Sequence, residues 1–204
     1  MFTGIVETMG TLVSRTDMGG DSRLVIDTGT LSLASCRTGD SISISGACLT
    51  MLDPLENSFA ADVSQETLSL TILGGLAEGE KVNLELAMGL HDRMGGHLVT
   101  GHVDGLGRLV SRHEDARAER FEFEVPRQLA KYVARKGSVC IDGVSLTVNA
   151  AEGLRFEVCL IPHTLMITTL GRLQPGDEVN IEVDLIARYL ERLMSPEFAE
   201  DPEG

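Results

Sequence analysis

The sequence predicts an all-β protein, built as two tandem-duplicated six-stranded antiparallel β-barrels followed by a C-terminal α-helix. Three observations predict it. One motif set returns at a fixed offset along the chain, apolar residues alternate with period two between turn signals, and one segment near the end has helical spacing instead.

The repeat comes first. "TGIVETMGTLVSR" (3–15) returns as "TGHVDGLGRLVSR" (100–112), with eight of thirteen positions identical where average usage gives about one. At the same offset of 97, "ISGACLT" (44–50) lies over "IDGVSLT" (141–147). "DVSQETLSLTILGGLAEGEKVNLE" (62–85) lies over "CLIPHTLMITTLGRLQPGDEVNIE" (159–182). Three blocks in one register mean a tandem duplication, and two units are too few for a solenoid. The join falls in "AMGLHDRMGG" (87–96), giving units 1–96 and 97–184.

Within the units, "DSISISG" alternates Ser and Ile, the pattern of a half-buried strand with Ile42 and Ile44 inward and Ser41, Ser43 and Ser45 on a solvated face. "KVNLELA", "FEFEVP" and "EVNIEV" alternate likewise, and Gly-Asp, Gly-Glu and Gly-Gly steps mark turns. "ETLSLTILG" and "HTLMITTLG" each suit a short helix or turn ending in Gly. About six strands per unit favour a closed barrel over a sheet with open edges. Beyond the repeat, Leu185, Tyr189, Leu190, Leu193 and Met194 recur at helical spacing until Pro196, defining a helix over 185–195 and an acidic tail over 196–204. Its apolar stripe must be covered, by its own chain or by a partner.

Composition narrows the function. A net charge of −14 repels a nucleic-acid backbone or an anionic membrane, so neither is an expected partner. Cys36, Cys48, Cys140 and Cys159 lack close pairing and suit reduced thiols. "MFTGIVETMG" has no basic residue ahead of an apolar run, so no signal peptide is expected, and a cytoplasmic location is. His97 and His102, five apart on an extended segment, would face opposite ways, so no metal site is expected.

"MFTGIVE", "GACLT", "GGHLVTGHVDG", "IDGVSLTV" and the paired "ETL…LG" and "HTL…TLG" blocks resemble the riboflavin synthase family of the alpha-chain type, over residues 1 to about 194. The resemblance implies a homotrimer of two-barrel subunits with the C-terminal helices at its centre. It also implies a cofactor-free dismutation of two 6,7-dimethyl-8-ribityllumazine molecules to riboflavin and 5-amino-6-ribitylaminouracil. Lumazine synthase is then a candidate partner. A reaction consuming two copies of one molecule needs two pockets of one kind, which duplication supplies. Treating them as donor and acceptor requires the copies to diverge.

Carried over residue by residue, the implied substrate contacts are Gly4, Ile5 and Val6; Cys48, Leu49 and Thr50; Asp62, Val63, Ser64, Gln65, Glu66 and Thr67. In the second unit they are Gly101, His102 and Val103; Lys136; Ser145, Leu146 and Thr147; and Ile161, Pro162, His163, Thr164, Leu165 and Met166. Glycines allow close backbone approach to a flat heterocycle, and hydroxyls suit the ribityl chain. Catalytic candidates are His102, which replaces Ile5 and can move protons, the matched nucleophiles Cys48 and Ser145, Ser41 bordering the site, and Asp184. Asp184 and Asp142 are placed near the second pocket, where a carboxylate could orient His102. Phe2 and Thr3 belong to a segment that covers the site. Ser45, Met166 and Ile167 depart from the usual polar residues of the family. The rival reading is a lumazine- or flavin-binding protein of the same fold without catalysis.

Overall fold

The computed structural model describes residues 1–195; the expected acidic tail and Pro196 lie outside the described residues. The first barrel comprises β1 (Thr8–Asp17), β2 (Ser22–Asp27), β3 (Ser41–Ile44), β4 (Ala47–Thr50), β5 (Ser58–Val63) and β6 (Lys81–Leu86), all antiparallel, in the order β4-β3-β6-β1-β2-β5. The Leu52–Ala60 pair bridges its remaining seam with N–H to carbonyl bonds of 2.7 and 2.9 Å. The second barrel is closed, with β7 (Gly105–Asp115), β8 (Ala118–Glu124), β9 (Ser138–Ile141), β10 (Val144–Glu152), β11 (Arg155–Leu160) and β12 (Glu178–Val183) in the order β10-β11-β8-β7-β12-β9. The two strand sets match one for one.

The repeated "LVSR" has a structural meaning. At Leu12–Ser14 the β1 register shifts, and it shifts again at Leu109–Ser111 of β7, so Val13 and Val110 are bulge residues. A bulge bends its strand and sharpens the twist, which helps close a small barrel. Each barrel then encloses an apolar core. Leu12, Leu24, Ile26, Ile42, Ile44 and Leu84 are sealed in the first. In the second, Phe121, Phe123 and Phe156 pack with centroids 6.0 and 5.7 Å apart, each ring worth about 1.5–3 kcal/mol of burial.

Both "TL…LG" segments form a short helix followed by a 3₁₀ turn. The helices are α1 (Gln65–Leu70) and, in the second barrel, α3 (Pro162–Ile167); α2 (Arg127–Ala130) lies between them in the chain. The turns are Ile72–Gly74 and Thr169–Arg172. Thr71 and Thr168 donate back to the carbonyls of Thr67 and Thr164 at 2.7 Å, holding helix and turn together. Arg15 donates to the Gly74 carbonyl at 2.7 Å and Arg112 to the Leu173 carbonyl at 2.8 Å, which accounts for the arginine that ends the repeated motif. Cations at carbonyl-rich ends are favourable.

The Ser face of β3 is not solvated. Ile42 and Ile44 point inward as expected, but Ser43 and Ser45 are buried too, because the second barrel lies against them. The seam between barrels is polar: Ser43, Ser45, Asn83 and Glu85 on one side meet Asp142, Asn180 and Glu182 on the other, all at most 5% exposed. It obeys a local two-fold relation. Gly46 and Gly143 meet at its middle, and a Cβ on either would sit within 3.0 Å of the other's backbone nitrogen. Cys140 is buried there, and desolvation pushes its thiol far above the ordinary range, leaving it protonated.

Helix α4 (Leu185–Met194) follows β12. Asp184 caps it, accepting from the Ile186 N–H at 2.9 Å. Glu191 meets Lys131 and Tyr132, and Arg188 meets Asp104, so its polar face is tied to the second barrel. Of its apolar residues, Ile186, Tyr189, Leu190, Leu193 and Met194 are exposed on this chain, whereas Leu185, expected in the stripe, is half-buried. No helix among the described residues is long and apolar enough to cross a membrane.

Candidate functional site

Two segments leave their own repeat and cross the seam. Glu85 on β6 accepts from the Thr3 N–H (2.7 Å), the Thr3 hydroxyl (2.8 Å) and the Gly4 N–H (3.0 Å). Held there, Gly4 offers its carbonyl to the N–H of Ser145 in the second barrel at 2.8 Å. The copy is faithful. Glu182 on β12 takes the Thr100 N–H and hydroxyl (both 2.7 Å) and the Gly101 N–H (2.9 Å), and the Gly101 carbonyl accepts from the N–H of Cys48 at 2.8 Å. Phe2 and Val99 pair between the two segments, with Cys140 beneath them.

Glycine is required at both crossings. Gly4 has φ +75° and Gly101 φ +79°, and an added Cβ would lie 2.5 Å from Ser145 Cβ or Cys48 Cβ respectively. Val6 accordingly packs into the core of the second barrel, and Val103 against the core of the first. The contacts carried over from the family resemblance grouped Gly101, His102 and Val103 with Ser145 in the second unit. The fold instead brings them to Cys48, and brings Gly4, Ile5 and Val6 to Ser145.

The cysteine pocket is a cleft of about 260 Å³ lined by Ala47, Cys48, Glu66, Thr67, Leu70, Thr71, Gly101, His102 and Val103. Strand β4 supplies Cys48, and α1 supplies Glu66 and Thr67. Ser64 opens that helix, its hydroxyl accepting from the Thr67 N–H at 3.2 Å. A thiol, an imidazole, a carboxylate and a hydroxyl thus converge on one small open cleft.

The serine pocket is named by correspondence: it is the region around Ser145 that the offset of 97 matches to the cleft at Cys48. The join between repeats folds back over it, so that Gly95 lies beside Ile5 and Gly96 beside Ser145. His97 then reaches Ser145, Nδ1 to Oγ 2.6 Å. The position that would match His97 in the first repeat falls before Met1, so offset comparison could not expose it. The usable signal was the Gly-Gly-His step immediately ahead of the second copy. Burial lowers the pKa of His97, opposed by the fields of Asp184 and Glu182, so the imidazole is mainly neutral at pH 7. A neutral imidazole within hydrogen-bond reach of a hydroxyl can accept its proton.

Other candidates fall in several places. Val63 and Leu49 are core residues whose side chains face the first barrel's interior. Asp62 is held in a surface pair by Arg23 (2.6 and 2.8 Å), which keeps its carboxyl below the usual range. Ser41 pairs with Thr50 across β3 and β4 and does not line the cleft around Cys48. Thr147 pairs with Ser138, and Leu146 packs on the second core. Lys136 is exposed in a left-handed turn (φ +68°) before β9. Ile161 precedes α3, whose residues include Pro162, His163, Thr164, Leu165 and Met166, placed as Gln65, Glu66 and Thr67 are on α1. The field of Asp184 bears on His97, whereas His102 lines the cleft around Cys48. Asp142 lies in the seam and accepts from the Asn180 N–H at 2.7 Å, away from His102. Among the described residues no three or more His, Cys, Asp or Glu side chains gather in metal-binding geometry. Glu85, Glu182, Asn83 and Asn180 were missed, although each is identical in both copies.

A small two-barrel protein, duplicated, with a ligand cleft where each half covers the other, is the class this geometry defines. The lumazine binding domain matches residues 3–87 and 100–184, and the chain belongs to that family, carrying the domain twice. It is 44% identical over 204 residues to the riboflavin synthase of Photobacterium phosphoreum, covering 100% of this chain and 94% of that protein. It is 46% identical over 198 residues to the riboflavin synthase of Mycobacterium tuberculosis (95% and 98% covered). With that of Bacillus subtilis it shares 40% over 194 residues (95% and 90%). Among solved structures, LumP complexed with riboflavin superposes with TM-score 0.81 at 24% identity, covering 90% of this chain and 99% of that one. LumP complexed with 6,7-dimethyl-8-(1'-D-ribityl) lumazine gives 0.79 at 22%, with the same coverage. At such identities these two likenesses concern the fold.

Proposed function

We propose that this chain is a riboflavin synthase, transferring a four-carbon unit between two molecules of 6,7-dimethyl-8-ribityllumazine to give riboflavin and 5-amino-6-ribitylaminouracil. The observation that carries this reading is a pair of matched stations with unlike chemistry: Cys48 and His102 line a cleft at one, and Ser145 is hydrogen-bonded to His97 at the other. The donor's loss is the acceptor's gain, so the reaction balances without an external oxidant or reductant, and no cofactor is invoked. One lumazine loses a proton from its acidic 7-methyl group, leaving a carbanion delocalised over the ring. The other is made electrophilic by addition of a nucleophile, to which the Ser145–His97 pair and Cys48 are suited. Holding the two substrates in register supplies much of the rate, up to about 7–11 kcal/mol.

Residues 1–96 and 97–184 serve as the two lumazine-binding units. The exposed stripe of α4 supports a homotrimer in which these helices meet, with each complete site formed between subunits. A cytoplasmic location and transfer of substrate from lumazine synthase belong to the same reading. Purified protein incubated with the lumazine should bleach its absorbance as riboflavin fluorescence grows, two consumed per riboflavin formed. Binding without conversion would overturn the enzyme reading in favour of a non-catalytic lumazine carrier.

A further inference from the structure

Each barrel's ligand helix is anchored by the opposite barrel. Asn83 lies on β6 with its side chain in the seam, 1% exposed. Its Oδ1 accepts from the Thr169 N–H at 2.8 Å, and its Nδ2 donates to Thr169 Oγ1 (2.9 Å) and to the Asp142 carbonyl (2.8 Å). Thr169 opens the 3₁₀ turn that follows α3, so a first-barrel side chain fixes the end of the second barrel's helix. Asn180 on β12, also 1% exposed, does the converse: its Oδ1 accepts from the Ile72 N–H at 2.8 Å and its Nδ2 donates to the Ser45 carbonyl at 2.7 Å. Ile72 opens the turn after α1 and adjoins Thr71, a lining residue of the cysteine pocket.

The amide is suited to this work. The first N–H groups of a helical turn have no partner within it and need an acceptor, and the carbonyls at the barrel hairpins need a donor. A carboxamide provides both from one rigid plane, uncharged, where a carboxylate could only accept. The strands' alternation sends Asn83 and Asn180 outward, away from the hydrophobic interiors that Val82 and Leu84, or Val179 and Ile181, fill. Their identity in the two copies follows from the exchange, since each copy both gives and receives one amide.

We infer that Asn83 and Asn180 are positioning residues acting across the seam: Asn180 sets α1 and hence the cysteine pocket, and Asn83 sets α3 and hence the serine pocket. This rests on the reading that α1 and α3 carry substrate contacts. The consequence is a reversal of what sequence location suggests, because a change in one repeat disturbs the pocket of the other.

Amide hydrogen exchange on the full-length protein tests it. Asn180→Ala should raise exchange about tenfold through residues 66–74, the effect of about one hydrogen bond lost from a buried group, while residues 163–171 keep parental rates. Asn83→Ala should show the mirror pattern. Thr169→Val is a milder second probe, removing one acceptor of Asn83; it should raise exchange in 163–171 alone. Each alanine variant should also weaken riboflavin by about tenfold at one pocket and leave the other unaltered in a two-site titration. Faster exchange in the mutated repeat itself, or equally in both, would overturn the inference, marking these residues as general cement of the seam. Crossed exchange with unaltered riboflavin affinity would overturn the pocket assignment. The exchange pattern needs no turnover, so a failure of the enzyme reading is separately visible.

Discussion

Replacing Asp142 by Asn should stabilise the protein at alkaline pH. Asp142 is 1% exposed in the seam, its backbone is left-handed (φ +47°), and one carboxylate oxygen accepts from the Asn180 N–H at 2.7 Å. Desolvation raises its pKa from 3.8 to about 7 despite that bond. For an acid with a raised folded pKa the sign is as follows. Below 3.8 both states hold the proton and nothing is lost. Between 3.8 and about 7 the unfolded chain has released a proton that the folded one keeps, so stability falls with rising pH. Above about 7 the whole penalty is present, about 4 kcal/mol at the usual conversion. Asparagine keeps an oxygen for the Asn180 N–H, tolerates the left-handed backbone, and cannot ionise. Urea melts of parent and Asp142→Asn at pH 5 and pH 8 should therefore diverge, the variant being more stable at pH 8 by up to about 4 kcal/mol, or about 10 °C in Tm. Burial also raises Glu85 and gives the parent a slope of the same sign, so the difference between the proteins is the quantity to read. A variant no more stable than the parent at pH 8 would refute the reasoning.

Gly101→Ala places a Cβ 2.5 Å from that of Cys48 at a positive φ and should cost about 2–3 kcal/mol in a urea melt, with riboflavin binding lost at the cysteine pocket first. His102→Gln should slow turnover by well under the ~10²-fold expected of a committed general base while leaving lumazine affinity nearly intact; a collapse of binding would refute a proton-transfer role. Leu190→Glu with Leu193→Glu charges the exposed stripe of α4 and should convert the proposed trimer to monomers in sedimentation; an unchanged particle would place the assembly contact elsewhere.

The fold was legible because its signals are periodic and occur twice. The offset of 97 gave the two units, and alternation in "DSISISG" put Ile42 and Ile44 inward. The same alternation could not say what lay against Ser43 and Ser45, since a polar neighbour and water demand the same residue types. At the site, Cys48, Glu66, Thr67 and His102 do share a cleft. Their company was hidden because an offset pairs like with like, whereas the seam pairs Gly4 with Ser145 and Gly101 with Cys48. His97 was hidden because its matched position lies ahead of Met1, outside the comparison. Asp62 was carried over as a substrate contact, but the partner that occupies it, Arg23, is 39 positions away on a neighbouring strand.

The Gly46–Gly143 meeting, with the Gly4–Ser145 bond echoed by Gly101–Cys48 and the Glu85 clamp by Glu182, is the geometry of an isologous pair. A homodimer built this way can alter its two sites only in tandem, because each mutation is made in both protomers. Joining the halves in one polypeptide removes that constraint. Thiol and hydroxyl can then occupy equivalent stations at Cys48 and Ser145, and the one-to-one ratio of the two kinds of site is guaranteed by covalent linkage rather than by concentration.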